Sequence, residues 1–325
     1  MDKIRVSVVG TGHLGSIHVK LWQDVENTEF IGIYDTDKAK SEELASTYNC
    51  KSFGTLEELI ESSDAVTIAA PTSFHADIAM KCLNAGVHCF IEKPITAKYE
   101  DAIELIKVAN EKNLVVQVGH VERFNPALAA IKKFDPDPLF IEAHRLSQFK
   151  PRATDVSVIH DLMIHDIDIV LSLVKSNVKS IDANGVNVLT ETPDIANARI
   201  NFDNGAVANI TASRISANPM RKMRFFQKNA YISIDFGNQK AEVFRLVDEG
   251  EPGTGISASM LGMIDEGVQG KKIVFEKPEV ENNNAILEEQ KAFVDAIINK
   301  SPVAVSAEEA TEALRIAEEI NDLIK

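Results

Sequence analysis

Short apolar runs alternate with amphipathic segments over the first 120 residues of the chain. The apolar runs have the length and β-branched content of buried strands, and they occur at Ile4–Val9, Phe30–Tyr34, Ala65–Ala69, His88–Ile91 and Leu114–Val118. Between them, helical patterns occur at Leu14–Trp22, Lys38–Tyr48, 55–62, Asp77–Ala85 and Tyr99–Glu111. This alternation predicts βαβ units, and hence an α/β domain built on a doubly wound parallel sheet.

After Gly119 the pattern changes to helices followed by consecutive strands. The segments predicted there are a helix at Asn125–Lys133, a strand at Leu139–Arg145, a long apolar helix at Val156–Val174, strands over Lys179–Arg245, and helices at Ala285–Asn299 and Ala307–Ile324. Six of the 16 glycines fall in Glu249–Lys272, which predicts a long loop. We therefore expect a first domain over 1–120 and, over 121–325, an α+β domain with a large, mostly antiparallel open sheet, whose C-terminal helix is free to pack back on the first domain.

Acidic residues outnumber basic ones by 49 to 34, so the formal net charge is −15 at pH 7. This charge repels nucleic acid, and no strong basic stripe offsets it. No apolar run approaches the roughly 18 residues of a membrane-spanning helix, and the first residues do not resemble a signal peptide. Three cysteines without a C-x-x-C pair indicate reduced thiols. We expect a cytoplasmic protein with no nucleic-acid or membrane partner.

A glycine-rich turn, Gly10-Thr-Gly12-His-Leu-Gly15, joins the first strand to the first helix. The first glycine permits a tight turn, the second lets a pyrophosphate approach the backbone, and the third lets helix and strand pack closely. Asp35 ends the second strand 20 residues beyond Gly15, where a carboxylate can accept from ribose hydroxyls or can simply cap a helix. Since no Arg or Lys adjoins Asp35 to hold a 2′-phosphate, these features predict a Rossmann domain that binds NAD rather than NADP.

Lys93 follows the fifth strand in the segment Glu92-Lys93-Pro94. Ligands of parallel sheets gather at the carboxyl ends of the strands, so this lysine is placed for catalysis, although a surface lysine in a loop would fit the position equally. We expect a cis Lys93–Pro94 peptide that holds the lysine toward the cleft. The same edge receives the residues after the fourth strand, Pro71, Thr72 and His75.

The helix predicted at Val156–Val174 carries His160, Asp161, His165 and Asp168 among apolar residues. At about 100° per residue, Asp161, His165 and Asp168 fall on one stripe. Three interpretations compete for this stripe: mutual structural pairing, metal binding, or proton transfer by His165 with a carboxylate to orient it. The spacing matches no defined metal motif, so no metal is expected.

These motifs, in this order and spacing, resemble the glucose–fructose oxidoreductase / inositol dehydrogenase / MocA (Gfo/Idh/MocA) family: Gly10–Gly15, Glu92-Lys93-Pro94 and the Asp161–His165 pair. The resemblance covers essentially the whole chain. It implies an NAD(P)-dependent dehydrogenase of sugars or polyols, with Lys93 and His165 as catalytic residues and Asp161 as the supporting acid. It also implies a homodimer or homotetramer formed through the open sheet.

Two segments, 118–126 and 155–168, resemble more narrowly a subgroup that acts on nucleotide-activated amino sugars. His160 departs from that subgroup, in which an apolar residue is usual. The implied reaction is oxidation of a secondary ring hydroxyl by NAD, most specifically at C3 of UDP-N-acetylglucosamine. A free polyol or neutral sugar is the second candidate substrate. A non-catalytic regulator that senses dinucleotide is the third candidate function, although such a protein would be expected to lack Lys93 or His165.

A diphosphate-linked sugar needs cations, and the candidates are Arg123, Arg145, Arg152, Arg214 and Arg221. Arg123 is preferred among them, and His120 and Glu122 are further candidates for the cleft wall. The residues expected around the substrate are Lys93, Arg123, Asn125, Arg152, Asp161 and His165. The residues expected around the cofactor are Gly10, Gly12, His13, Leu14, Gly15, Asp35, Pro71, Thr72, His75, Glu92 and Lys93.

Overall fold

A computed structural model describes residues 3–150, 156–248, 259–263 and 271–324. Contacts within the chain divide it into two compact units. The first unit comprises Met1–Val121 with Asn284–Arg315, and the second comprises Glu122–Asn283 with Ile316–Lys325. This division assigns 284–315 to the first unit, whereas the expected boundary at residue 120 left only the C-terminal helix free to pack back on the first domain.

The first unit contains a six-stranded, wholly parallel sheet. Its strands are β1 (Ile4–Val9), β2 (Thr28–Tyr34), β3 (Lys51–Ser52), β4 (Ala65–Ile68), β5 (His88–Glu92) and β6 (Val116–Gly119). Its first five helices are α1 (His13–Trp22), α2 (Lys38–Tyr48), α3 (Leu56–Ser62), α4 (His75–Asn84) and α5 (Tyr99–Lys112). The strand order β3-β2-β1-β4-β5-β6 is that of a doubly wound dinucleotide-binding sheet, and the order reverses between β1 and β4.

The second unit is built on a sheet of nine strands within the described residues, ordered β14-β15-β13-β12-β11-β7-β10-β9-β8. These strands are β7 (Phe140–Leu146), β8 (Val178–Val186), β9 (Ile195–Phe202), β10 (Val207–Ser213), β11 (Met220–Gln227), β12 (Ala230–Asp235), β13 (Lys240–Asp248), β14 (Ser259–Met263) and β15 (Lys271–Glu276). All neighbours pair antiparallel except β7 and β10. Helices α6 (Pro126–Ile131) and α7 (Ile164–Leu173) pack against this sheet.

The chain closes with α8 (Ala285–Ile298) and α9 (Ala307–Ile324). A capping box starts α9: the Glu309 N–H donates to Ser306 Oγ at 3.2 Å, and the Ser306 N–H donates to Glu309 Oε2 at 3.1 Å. In the first unit, α8 contributes Phe293 to the core, where its ring lies edge-on to Trp22 and Phe90 at centroid distances of 6.5 and 5.8 Å. The predicted α/β and α+β fold classes are both confirmed.

Two predicted elements differ from the structure. The helix expected over Val156–Val174 begins with a π-helical turn at Ile159–Met163, in which the Ile164 N–H donates to the Ile159 carbonyl five residues earlier, and it continues as α7. The loop expected at Glu249–Lys272 contains strand β14, and its segments 249–258 and 264–270 lie outside the described residues. The Lys93–Pro94 peptide is cis, as predicted. No helix in the described part of the chain is long and apolar enough to cross a membrane.

Candidate active site

The glycine-rich turn in the first unit owes its shape to two close backbone contacts. Gly10 has a φ of 95°, and a Cβ there would lie 2.6 Å from the Ala69 carbonyl oxygen at the end of β4. A Cβ on Gly15 would lie 1.9 Å from the Gly10 carbonyl oxygen. Helix α1 can therefore pack this close to the turn only because Gly15 has no side chain. A Cβ on Gly12 would meet nothing within 4 Å, which leaves the outer surface of the turn open to a ligand.

Asp35 locks this turn to the end of β2. Its Oδ2 accepts from the Thr11 N–H at 2.6 Å and from the Thr11 hydroxyl at 2.7 Å, while its Oδ1 accepts from the Asp37 N–H at 2.9 Å. Burial alone would raise the pKa of Asp35, but these hydrogen bonds outweigh burial and lower the pKa below its usual value. The group is therefore an anion at neutral pH, and Asp37 rather than Asp35 caps α2.

A cleft of about 800 Å³ opens between this turn and the segment after β4. Its polar residues include Asp35, Thr36, Lys40 and Asp77, and its apolar wall includes Leu56, Phe74, Ile78 and Met80. The first N–H groups of α1 have no side-chain cap, so the positive end of the helix is available to an anion. An apolar wall, an acid for a ribose and a helix N-terminus for phosphates are the parts that a dinucleotide needs.

Lys40 is a cleft residue that the sequence analysis did not identify, because only the residues next to Asp35 were considered there. It lies one turn into α2 and lines the same cleft as Asp35, and its Nζ lies 3.2 Å from Asp37 Oδ2. A cation is thus present near the ribose position, although the expectation from the sequence was that none adjoins Asp35. The signal that would have revealed Lys40 is the i, i+3 spacing from Asp37 across the first turn of a helix.

The residues after β4 and β5 are joined through His75. The ring of His75 is 1% exposed, and its Nδ1 and Nε2 lie 2.9 Å from the carbonyl oxygens of Pro94 and Ala70, respectively. Both ring nitrogens therefore face the protein backbone. This placement favours a role in positioning the two strand ends over the direct cofactor contact expected for His75, whereas Pro71 lies in the cleft wall.

Lys93 lies half-buried directly after β5 in the first unit, and Asp161 and His165 lie half-buried in the second unit. Asp161 belongs to the π-helical turn and His165 to the first turn of α7. Asp168, expected on the same stripe, is 1% exposed and pairs with Arg123 through two hydrogen bonds of 2.7 and 2.9 Å. Asp168 therefore differs from Asp161 and His165, because it is fully buried whereas they are half-buried.

Arg123 was the arginine expected to bind the substrate, but its Nε and Nη2 both donate hydrogen bonds to the Asp168 carboxylate. Asn125 is also held within the protein, because its Oδ1 caps α6 and its Nδ2 donates to Glu122 and to the Phe236 carbonyl. Arg152 lies outside the described residues. Arg221 differs from these candidates because its side chain is 50% exposed, and it lies 3.4 Å from Glu122 Oε1.

A buried ion cluster beneath α7 was not predicted from the sequence. Arg145 on β7 donates to Asp166 at 2.9 and 3.1 Å and to Glu122 at 2.9 Å. Burial raises the pKa of Asp166 more than Arg145 lowers it, and the charge of Glu122 adds to the rise. Burial alone would also raise the pKa of Glu122, but the positive charges of Arg145 and Arg221 outweigh burial and lower the pKa. The cluster anchors the residue next to His165.

Comparison with known proteins gives a consistent assignment. A model described as an oxidoreductase family with an NAD-binding Rossmann fold matches residues 4–120, and the Gfo/Idh/MocA C-terminal domain model matches residues 133–233. The chain is 35% identical over 308 residues to UDP-N-acetylglucosamine 3-dehydrogenase of Acidithiobacillus ferrooxidans, which covers 94% of this chain and 96% of that protein. A crystal structure of that enzyme superposes with a TM-score of 0.88 at 32% identity, covering 100% of this chain and 98% of the other.

A second relative is the NAD-dependent scyllo-inositol 2-dehydrogenase of Bacillus subtilis, 30% identical over 233 residues, which covers 66% of this chain and 68% of that protein. The cleft, the glycine-rich turn and the acid at the end of β2 agree with the NAD-binding Rossmann fold that the matched family model describes. The chain is therefore a member of the Gfo/Idh/MocA family of NAD-dependent oxidoreductases.

Proposed function

We propose that the protein oxidises a secondary ring hydroxyl of a nucleotide sugar, namely C3 of UDP-N-acetylglucosamine, to the 3-keto sugar. The observation that carries this choice of substrate is the 35% identity, over 94% of this chain, to a protein of that activity. The cofactor cleft supports the redox half of the reaction, since its Asp35 carboxylate suits the unmodified ribose of NAD.

The residues divide the chemistry among them. The bond between the carbon and its hydrogen breaks, the hydroxyl loses its proton, and the C–O bond becomes a carbonyl. NAD, when bound, accepts the hydride. His165 takes the hydroxyl proton, because an imidazole titrates near the working pH, and Asp161 orients the ring. Lys93 stabilises the developing negative charge on the oxygen as a cation and can relay the proton.

The diphosphate of the substrate requires a cation that is accessible. Arg123 is held by Asp168, and Arg145 is buried with two carboxylates. We therefore assign the diphosphate contact to Arg221, the candidate arginine of the described residues with a half-exposed side chain, and we assign Arg123 to the support of α7.

The experiment is to incubate the protein with NAD and a panel of UDP-sugars and inositols, and to follow NADH absorbance. UDP-N-acetylglucosamine should give the highest kcat/KM. The second candidate is a free polyol, which the 30% identity to an inositol dehydrogenase favours. Turnover with an inositol but with no UDP-sugar would replace the proposal by this second candidate.

Substitution of the catalytic residues tests the mechanism. Lys93→Met and His165→Ala should each lose about 10²–10⁴ in turnover, the loss typical of a missing acid–base group, while NAD binding persists. Lys98→Met, which removes an exposed lysine five residues after Lys93, is the matched control and should retain full activity. Near-normal NADH production by both catalytic variants would refute the assigned roles.

We further propose that the protein assembles through the open face of its nine-stranded sheet. Five aromatic residues on neighbouring strands form a row along this face, and their consecutive ring centroids lie 4.7–6.2 Å apart: Phe140, Phe226, Tyr231, Phe244 and Phe275. Phe226 is 42% exposed. An apolar row of this length across a sheet is the kind of surface that a second copy of the chain covers.

A further inference from the structure

Four buried polar side chains from three elements meet inside the first unit: His18 of α1, Glu92 of β5, and Glu289 and Gln290 of α8. His18, Glu289 and Gln290 are 0% exposed, and Glu92 is 8% exposed. We call this group the acid–histidine cluster. The cluster is linked to both predicted functional segments of the first unit, because α1 starts at the glycine-rich turn and Glu92 directly precedes Lys93.

The hydrogen bonds of His18 fix its tautomer. The Gln290 side-chain N–H lies 3.0 Å from His18 Nδ1, and an amide nitrogen can only donate, so Nδ1 accepts. The ring proton therefore resides on Nε2, which lies 2.7 Å from Glu92 Oε1 and donates to it. With its only ring proton on Nε2, His18 donates to Glu92 and accepts from Gln290.

Among the described residues, these bonds leave Gln290 Oε1 and both carboxyl oxygens of Glu289 without a partner, and Glu289 is the titratable group of the two. Both of its carboxyl oxygens are buried, and neither has a hydrogen-bond partner among the described residues. Groups of His18, Glu92 and Glu289 nevertheless lie within 4.8 Å of one another. An ionised carboxylate without a partner, buried beside a second carboxylate, is among the least favourable arrangements in a protein.

The groups that face Glu289 all favour its neutral form. Burial raises the pKa of Glu289 well above its usual value, and the charge of Glu92 raises it further. On β6, the Gln117 amide donates to the Glu289 backbone carbonyl rather than to its carboxyl group. The remaining titratable neighbour, His18, directs its only ring proton to Glu92.

We propose that Glu289 is a neutral carboxylic acid at physiological pH, so that the acid–histidine cluster carries a single negative charge, on Glu92, and holds the end of β5 that positions Lys93. The protonated carboxyl donates toward the Glu92 carboxylate, directly after a small side-chain movement or through one water. The first part of this proposal concerns the fold alone, and the second part rests on the catalytic role proposed for Lys93.

A metal ion is the competing occupant, because one histidine and two carboxylates are a common set of ligands. A metal-bound imidazole must use a bare nitrogen and donate its other N–H outward. Here Nε2 carries the proton and Nδ1 accepts from Gln290, which is the reverse arrangement. The geometry therefore favours the shared proton, and metal content becomes an outcome of the test.

The stability of Glu289→Gln as a function of pH tests the protonation state. The native pKa of Glu289 is raised, so the folded chain keeps a proton that the unfolded chain releases above about pH 4.3, and stability falls as pH rises. Glutamine has the same shape and cannot ionise. The Tm of the variant should therefore equal the wild-type Tm near pH 4.5 and exceed the wild-type Tm by about 3 °C or more at pH 9. The control is Glu288→Gln, at a partly exposed position, and its Tm difference from the wild type should not change with pH in this way.

Kinetics test the positioning role. Glu289→Gln should keep kcat within about twofold of the wild type, whereas Glu289→Ala should lower kcat by about 10-fold or more with little change in the Kd for NAD, since a displaced reacting group costs up to about 10²-fold. Rescue by glutamine but not by alanine distinguishes a held geometry from a required charge. Equal losses in both variants would overturn the proposal.

Two further results would overturn it. One is a fall in the Tm of Glu289→Gln at every pH, which would mean that the native carboxyl is ionised and needed as an anion. The other is a stoichiometric metal in the purified full chain that Glu289→Gln loses. The Tm measurement and NAD titration need no sugar substrate, so failure of the substrate assignment would leave both readings intact.

Discussion

Asp194, which immediately precedes β9, is a single buried carboxylate that organises a whole loop. It is 0% exposed, and its Oδ2 accepts from the N–H groups of Val188, Leu189 and Thr190 at 2.6–2.9 Å. Burial alone would raise the pKa of Asp194, but these three backbone donors and the Thr190 hydroxyl lower it to about 2. The stabilising charge is therefore complete above the ordinary pKa of about 3.9 and is lost as pH falls through about 2.

Asp194→Asn should lower the free energy of unfolding at pH 7 by about 2 kcal/mol, which is typical for hydrogen bonds to a charged group. Denaturant titrations at several pH values measure this difference, which should shrink between pH 4 and pH 2 as the wild-type carboxylate becomes protonated. Asp182→Asn, at an exposed position on β8, is the control and should change little. A constant difference across this pH range would contradict the role of charge.

Asp35 presents a prediction about the cofactor. Asp35→Asn weakens the acceptor for ribose and for Thr11 without a change in shape, so the Kd for NAD should rise by about 10-fold or more, and the preference for NAD over NADP should narrow. Fluorescence titration with each dinucleotide measures both effects. Asp77→Asn, which removes a charge from the same cleft, should leave the preference intact. A wild type that prefers NADP would show that Lys40 dominates over Asp35.

At this scale the sequence identifies residues whose role is local. The sequence predicts the roles of Gly10, Gly15 and Asp35, because few residue types fit a tight turn between a strand and a helix. The role of Glu289 cannot be predicted from the sequence, since Glu92 and His18 lie 197 and 271 positions away in the chain and only the fold brings them close to it. The same holds for Arg145, which has no sequence signal that marks it as buried.

Among the elements, α7 depends on its buried ion cluster. Arg145→Met would leave Glu122 and Asp166 without the cation between them, and removal of one partner from a buried pair costs about 3–5 kcal/mol. The Tm should fall strongly, and addition of Asp166→Asn should recover part of the loss by relieving the unpaired charge. Arg224→Met, at an exposed pair with Glu142, should cost less than about 1 kcal/mol.

Thermal unfolding of these variants separates the two kinds of ion pair. Equal losses from the buried and the exposed arginine would show that the cluster does not support α7.

Most elements follow from the spacing of apolar residues along the sequence. The exceptions have physical causes. Strand β3 has two residues, too few to produce a period. The π-helical turn has the composition of an ordinary helix, and only the hydrogen bond from Ile164 to Ile159 reveals it. Strand β14 pairs with β15 through its backbone, within a segment whose glycines favour a loop.

Over the whole molecule, the row of aromatic residues predicts assembly. Phe226→Glu places a charge within the row, so the assembly should dissociate at micromolar concentration, and light scattering measures the change in mass. Leu323→Glu, at a residue that is 50% exposed on α9 and outside the row, is the control. A wild type that is already monomeric would refute assembly through this face.

The two fold classes are predictable from the sequence at this scale, because the alternation of strands and helices changes so clearly after Gly119. The assignment of residues 284–315 to the first unit is not, since it depends on tertiary packing, as when Phe293 enters a core with Trp22 and Phe90.

The π-helical turn lets this segment hold one extra residue without a break in the helix. A helix that bonds five residues back holds one residue more per turn than its neighbours require. Deletion of one residue of this turn other than Asp161 would let the segment form a regular α-helix, and His165 would keep roughly its direction relative to the residues before the turn, because four residues of an α-helix turn about as far as five residues of a π-helix. Among natural variants, therefore, a one-residue gap in this turn is compatible with an unchanged direction of His165.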